Sequence, residues 1–201
     1  MSVDVPNESQ LDALSEVVNV GGGHAATALS RLVGGKRVQV ELPRVSVRGA
    51  RDAESLTPAP SQRVIAATFA LEGDWSGRML LCFDEADGRR LSEVLLGSPA
   101  AGVLGETQRS ALAEAANIIA SACLSAMGRL VGHRLVPSVP TILHDAPSAV
   151  WAGLWAPAAA AESLLILEAR FTALVGPPLR GQLLILPDGK SVKAVLARMG
   201  V

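Results

Sequence analysis

The 201-residue chain is predicted to fold as an α+β domain built from two pseudo-equivalent halves, with two long helices covering one sheet system. Three observations lead there. A shift of 98 residues superposes SQLDALSEVVNVGGGHAATALSRLVGG, starting at Ser9, on TQRSALAEAANIIASACLSAMGRLVGH, starting at Thr107. Both stretches carry apolar residues at helical spacing. Each is followed by the same succession of short β-rich runs, a hairpin and a closing helix.

Identities carry the duplication. Ala13, Leu14, Glu16, Asn19 and Ala28 match Ala111, Leu112, Glu114, Asn117 and Ala126, and Arg31-Leu32-Val33-Gly34 matches Arg129-Leu130-Val131-Gly132. Self-similarity at a fixed offset marks a repeated structural unit. The expected organisation is one domain over residues 1–201, with repeats at about 9–100 and 107–201.

The elements follow in order. Ser9 is the expected N-cap of the first helix, where a hydroxyl accepts from free N–H groups. Leu11, Leu14, Val18, Gly21, Ala25, Ala28 and Leu32 recur at alternating steps of three and four, which is one buried stripe. Gly34 suits the stop. RVQVELPRVSV (37–47) reads as strands and ARDAESLTPAPSQ (50–62) as a surface loop. Residues 63–83 form an expected hairpin and 84–97 a closing helix. The second half repeats this, with Thr107 as cap, Gly132 as stop, strands in HRLVPSVPTIL (133–143), a hairpin over 164–186 and a helix over 189–200. The Ala- and Pro-rich stretch 146–161 reads as a loop or a poor helix.

Hydrophobic residues make up 49% and charged residues 18%, so the chain can bury a core and is not of the disordered class. A net charge of −1 with interspersed signs lacks the basic excess of a nucleic-acid binder. Cys82 and Cys123 sit in apolar runs and read as buried thiols of a reducing compartment. His24, His133 and His144 show no metal-ligand spacing, so no metal site is expected. The polar N-terminus does not resemble a signal peptide, and the longest uncharged run, Ala146 to Ala161, is too short to span a bilayer. The expectation is a cytoplasmic protein without membrane insertion.

Gly21, Gly22 and Gly23 interrupt the first helix. A dinucleotide or phosphate loop needs a preceding strand, or a following Gly-Lys-Ser/Thr, and neither is present. The second copy has IIASAC (118–123) in place of VGGGHA (20–25), so no phosphate cradle is retained there. The glycines are therefore expected to continue the helix, at about 1 kcal/mol each relative to Ala, and to let another backbone approach.

Asp12, Glu16 and Asn19 lie at steps of four and three and share one helix face. Gly23, Ala26 and Ser30 continue that face. The second helix presents Ser110, Glu114 and Asn117, followed by Ser121, Leu124 and Gly128. An acid and an amide at i and i+3, ahead of a flat strip, suit a partner that must come close. The pair is retained in both halves while its neighbours differ.

D/S-x-x-x-E-x-x-N followed by about twenty-two residues and a Pro resembles the signature of the CheC/CheX/FliY phosphatases of bacterial chemotaxis. Ser110, Glu114, Asn117 and Pro140 fit with twenty-two intervening residues; Asp12, Glu16, Asn19 and Pro43 have twenty-three. Because both halves keep Glu and Asn, the chain is most similar to CheC. The resemblance implies an internally duplicated CheC-like fold, two pseudo-twofold halves with long helices packed on an antiparallel β-sheet.

What the resemblance implies for function is hydrolysis of the aspartyl phosphate of a CheY-type response regulator. The regulator supplies Mg²⁺ and the groups that hold the phosphoryl, so the chain needs no cofactor of its own. Asn19 and Asn117 would orient the attacking water, since a carboxamide both accepts and donates without adding charge beside an anion. Glu16 and Glu114 would engage the regulator's active-site Lys, and Asp12 and Ser110 would support them. The resemblance implies the deamidase CheD as a further candidate partner. It also leaves open a non-catalytic adaptor, resembling the flagellar-switch scaffolds that lack the Glu/Asn pair.

Overall fold

In the computed structural model of the protein, residues 6–48, 63–99, 104–155 and 164–201 are described. The first half runs α1 (Glu8–Leu32), β1 (Val38–Val40), β2 (Arg44–Arg48), β3 (Val64–Gly73), β4 (Gly77–Asp84) and α2 (Glu85–Leu96). The second runs α3 (Glu106–Val131), β5 (Leu135–Pro137), β6 (Thr141–Asp145), α4 (Pro147–Trp155), β7 (Leu164–Leu174), β8 (Pro178–Pro187) and α5 (Gly189–Met199). The second half thus carries a helix, α4, between its short strands and its hairpin. Residues 147–155 of the ambiguous 146–161 stretch are helical, opening on a Pro, which costs nothing at a first helical position. The loop expected at 50–62, and residues 156–163, lie outside the described residues.

Among the described residues all eight strands join one antiparallel sheet, in the order β1–β7–β8–β4–β3–β5, with β2 also on β7 and β6 also on β3. The two hairpins meet at its centre, where β4 pairs β8 from Gly77↔Pro187 to Cys82↔Gln182. The short strands pair across the halves. β1 and β2, which follow α1, lie on β7, while β5 and β6, which follow α3, lie on β3. Each half therefore completes the other's sheet, and neither hairpin has its full ladder without the opposite half.

Period-two alternation decides which residues face which layer. Ile65, Ala67, Phe69 and Leu71 on β3, Met79, Leu81 and Phe83 on β4, and Leu165, Leu167, Ala169 and Phe171 on β7 join the main core with α1, α3 and α5. Val64, Ala66, Leu80, Cys82, Ile166, Leu184 and Leu186 point the other way and pack with Val150, Trp151 and Leu154 of α4. Helix α3 is long and apolar enough to cross a membrane by length and composition alone. In the fold it buries Ile119, Leu124 and Met127 completely and serves as a core helix.

The helix caps differ from the expectation. Helix α1 starts two residues before the supposed cap, at Asn7, whose side chain accepts from Gln10 N–H at 3.0 Å while Gln10 reaches back to Asn7 N–H, a reciprocal capping box. Helix α3 is capped by Gly105 without a side-chain bond. Ser9 and Thr107 lie inside the first turns. A hydroxyl near a helix start marks a region and not a residue, because several neighbouring polar groups can cap. Asp84 and Asp188 cap α2 and α5, each accepting from the N–H three residues on at 2.7 Å.

Candidate functional site

Helices α1 and α3 pack against each other, and glycine sets how closely. A β-carbon at Gly21 would sit 2.6 Å from Met127 Cγ and 2.9 Å from Cys123 Sγ, closer than carbon or sulfur atoms can approach. One at Gly22 would meet Ala169 Cβ at 3.2 Å, on β7. Gly23 has nothing within 4 Å. The helix runs unbroken through all three, from Glu8 to Leu32. Two of the glycines thus serve close packing, against α3 and against the sheet, and the third lies on the open side.

That open side carries the first signature. Asp12, Glu16 and Asn19 are exposed, while Leu14, Val17 and Val18 beside them are at most 3% exposed and anchor the helix. On α3, Ser110 and Glu114 are exposed and Asn117 is half-buried, flanked by buried Ala115, Ala116 and Ile119. Among the described residues none of these six side chains makes a hydrogen bond or ion pair. Ser15 and Thr27 on the same helix behave otherwise, each donating back to the carbonyl one turn earlier at 2.8 and 2.9 Å. Among the described residues the two amides and two acids have no partner in their own chain, and rigid helices carry them in either half.

The flat strips beyond them are shorter than the spacing suggests. Ala26 is 6% exposed, and Ser30 donates to the Lys36 carbonyl at 2.6 Å. Leu124 is fully buried, and the chain leaving α3 closes over Gly128 at the His133 carbonyl and Leu135. Each chain doubles back across its helix's C-terminal half, which helical periodicity alone does not reveal. The faces stay open through Gly23 and Ser121.

The signature prolines interrupt the ladder beside each helix. Pro43 separates β1 from β2 and Pro140 separates β5 from β6, where a missing N–H cannot serve a continuous strand. The kinks are pinned alike: Glu41 N–H donates to the Arg170 carbonyl at 2.9 Å, and Ser138 N–H to the Ala70 carbonyl at 3.0 Å.

Other polar clusters involve none of these six residues. Buried Glu168 accepts from Arg170 and, at 2.8 Å, from Gln182, an internal pairing across β7 and β8. A cavity of about 270 Å³ beside it, lined by Glu41, Cys82, Asp84, Arg180 and Gln182, mixes both charge signs. Asp87, only 5% exposed, accepts from Arg90 and from Arg180 N–H and locks α2 to the second hairpin. Glu85 bonds Arg89 and, at 3.0 Å, His144, and these partners, Arg89 first, hold its carboxyl below the usual range. Sequence reasoning passed over these residues because one partner of each, Gln182, Arg180 or His144, lies on another element. Burial pushes both thiols, Cys82 and Cys123, up to about 12. Among the described residues no group of three His, Cys, Asp or Glu side chains gathers as a metal site.

Comparison with known proteins finds the same fold. The model of the CheC-like family matches residues 10–47, which cover the first signature, its helix and its proline. The CheY-P phosphatase CheC of Bacillus subtilis is 28% identical over 199 residues, covering 96% of this chain and 95% of that protein. The crystal structure of Thermotoga maritima FliY superposes with a TM-score of 0.78 at 18% identity, over 98% of each chain. CheX, in its Borrelia burgdorferi complex with CheY, BeF₃ and Mg²⁺, shares the fold at a TM-score of 0.58 and 12% identity, over 86% of this chain and 97% of that one. In its doubled Glu/Asn signature, its interlocked antiparallel sheet and these matches, the chain is similar to proteins of the CheC/CheX/FliY family.

Proposed function

We propose that this protein hydrolyses the aspartyl phosphate of a CheY-type response regulator, using a Glu/Asn pair on each of its two long helices. The observation that supports this most is the state of the pairs. Glu16 with Asn19 and Glu114 with Asn117 stand at i and i+3 with no partner among the described residues of their own chain. Polar groups held unsatisfied on rigid helices suit a reaction whose other half arrives on a second protein. The curated relative that spans nearly the same length is itself named a CheY-P phosphatase.

The chemistry asks little of the chain. An aspartyl phosphate is a mixed anhydride, and the regulator brings its own Mg²⁺. In the proposed step a water oxygen bonds to phosphorus as the bond to the aspartyl carboxylate breaks, releasing inorganic phosphate. Asn19 or Asn117 accepts from that water and aims it along the line of attack, a contribution of placement and not of charge. Glu16 or Glu114 forms a charge-assisted bond to the regulator's Lys, which sets the docking register. Asp12 and Ser110, one turn earlier, support the acids.

The test is phosphate release from a CheY-type regulator of the same genome, phosphorylated with acetyl phosphate. Asn117→Ala should lower turnover at its site at least tenfold, a cost of about 1.4 kcal/mol or more in the barrier. Asn19→Ala combined with Asn117→Ala should leave only the regulator's own decay. A double variant as fast as the parent would remove the amides from the mechanism.

A further inference from the structure

Resting on the phosphatase reading, we propose that Leu42 and Val139 are paired apolar contact residues that grip the response regulator beside each Glu/Asn face. The two are the most exposed large apolar side chains among the described residues, 89% and 88% exposed. No other member of that set exceeds half exposure. An isolated exposed leucine would carry no information. These two occupy the same place in both halves, immediately before Pro43 and Pro140.

The backbone around them is fixed. The preceding residues, Glu41 and Ser138, donate N–H bonds to β7 and β3. Ser138 adds a second tie, its hydroxyl accepting from Ala70 N–H at 2.9 Å. On the other side the ladder resumes at Arg44↔Glu168 and Thr141↔Thr68. Such a side chain loses little entropy on binding beyond its own rotamers, which is the condition for an effective anchor.

Position ties the pair to the signature faces. Two residues before Leu42, Val40 lies 3.7 Å from where a β-carbon of Gly22 would stand. One residue after it, Pro43 lines a cavity together with Ser15. Ser15 and Gly22 bracket Glu16 and Asn19 along α1 and share the adjoining flank, seven residues apart. The kink therefore runs alongside the stretch of helix that carries the acid and the amide. In the second half, Arg109 Nη1 donates to the Ile142 carbonyl at 3.3 Å and draws β6 against the turn holding Ser110 and Glu114. Ile118, next to Asn117, is 37% exposed and adds apolar surface there.

A regulator whose phosphoryl reaches Asn19 or Asn117 must lay the rim of its active site over this flank. Its contribution would be apolar side chains bordering the phosphorylated Asp. The Glu/Asn pair then supplies chemistry and register, and Leu42 and Val139 supply affinity.

The test uses Leu42→Ser and Val139→Ser, singly and together, with Leu42→Met and Val139→Ile as conservative controls. Binding is measured by calorimetry to the regulator activated with Mg²⁺ and beryllofluoride, and turnover by phosphate release. Each Ser variant should weaken binding at its site about fivefold or more, raise KM, and leave kcat and Tm unchanged, while the conservative variants bind like the parent. Asn→Ala variants should instead lose kcat. Unchanged binding by the double Ser variant, with Asn-dependent turnover intact, overturns this proposal and spares the phosphatase reading. A parent chain that neither binds nor hydrolyses overturns both. Loss of self-association in the double Ser variant, with regulator binding unchanged, assigns the residues to contacts between copies and overturns the proposal.

Discussion

Replacing Gly21, Gly22 and Gly23 by Ala, one at a time, separates helix propensity from packing within one turn of α1. In an open helix interior each change should stabilise by about 1 kcal/mol, since Ala loses less backbone entropy. Gly23 meets that condition, with nothing within 4 Å of the new methyl. For a chain of 201 residues the gain corresponds to a rise in Tm of roughly 2–4 °C. At Gly22 the methyl meets Ala169 Cβ at 3.2 Å, so a few tenths of an ångström of adjustment consumes part of the gain. At Gly21 it would lie 2.6 Å from Met127 Cγ, 2.8 Å from its sulfur and 2.9 Å from Cys123 Sγ. Both partners are at most 1% exposed, so α1 and α3 must separate or Met127 must leave its rotamer. Overpacking of this kind costs about 1–3 kcal/mol, which outweighs the propensity gain and leaves a net loss of about 1 kcal/mol. Thermal and urea unfolding followed by circular dichroism should rank Gly23→Ala above the parent, Gly22→Ala near it and Gly21→Ala below it. Met127→Ala should relieve the crowding, so the pair with Gly21→Ala should couple by about 1 kcal/mol in a double-mutant cycle. Equal stabilisation by Gly21→Ala and Gly23→Ala, or zero coupling, would refute the packing role.

Two further perturbations probe how the halves are joined. Trp75→Phe removes an N–H that donates to His133 Nδ1 at 3.1 Å across the halves, from a side chain 1% exposed; urea unfolding should show a loss of about 1–2 kcal/mol with an unchanged m value. Glu85→Gln tests the Glu85–Arg89–His144 cluster. Its folded carboxyl is held below its unfolded value, so its contribution is complete above the unfolded range, about pH 4.3, and is lost as pH falls through the folded value. Parent and Glu85→Gln should therefore differ in urea midpoint at pH 7 and converge towards pH 3; a constant difference across that range would show that the charge is not involved.

The sequence reading went furthest where the physics is local. Alternating steps of three and four from Leu11 to Leu32 reflect one helix burying one stripe, and the unbroken course of α1 through Gly21–Gly23 follows from that stripe. The hairpins at 63–83 and 164–186 and the closing helices depend on short-range turns and caps, and the structure has them at those places. The exposure of Glu16, Asn19 and Glu114 was legible for the same reason, because each stands opposite a buried stripe on its own helix.

The rest needed groups far apart in the chain. Ser9 and Thr107 as caps were off by two residues because Asn7 with Gln10, and the Gly105 backbone, were nearer to hand. Ala26, Leu124 and Gly128 read as open surface, but all three are buried in the fold, Gly128 under the chain leaving α3. Gly21 was expected to admit a close approach, but only the structure names what approaches, the Met127 and Cys123 side chains of another helix. From the sequence alone came the elements, their duplication and the residues on each helix face, since these arise within a few turns of one backbone. Only the tertiary structure decided that each half's short strands complete the other half's hairpin, and which parts of each face stay open. Ladder bonds and burial join segments tens of residues apart, and no local period records that pairing.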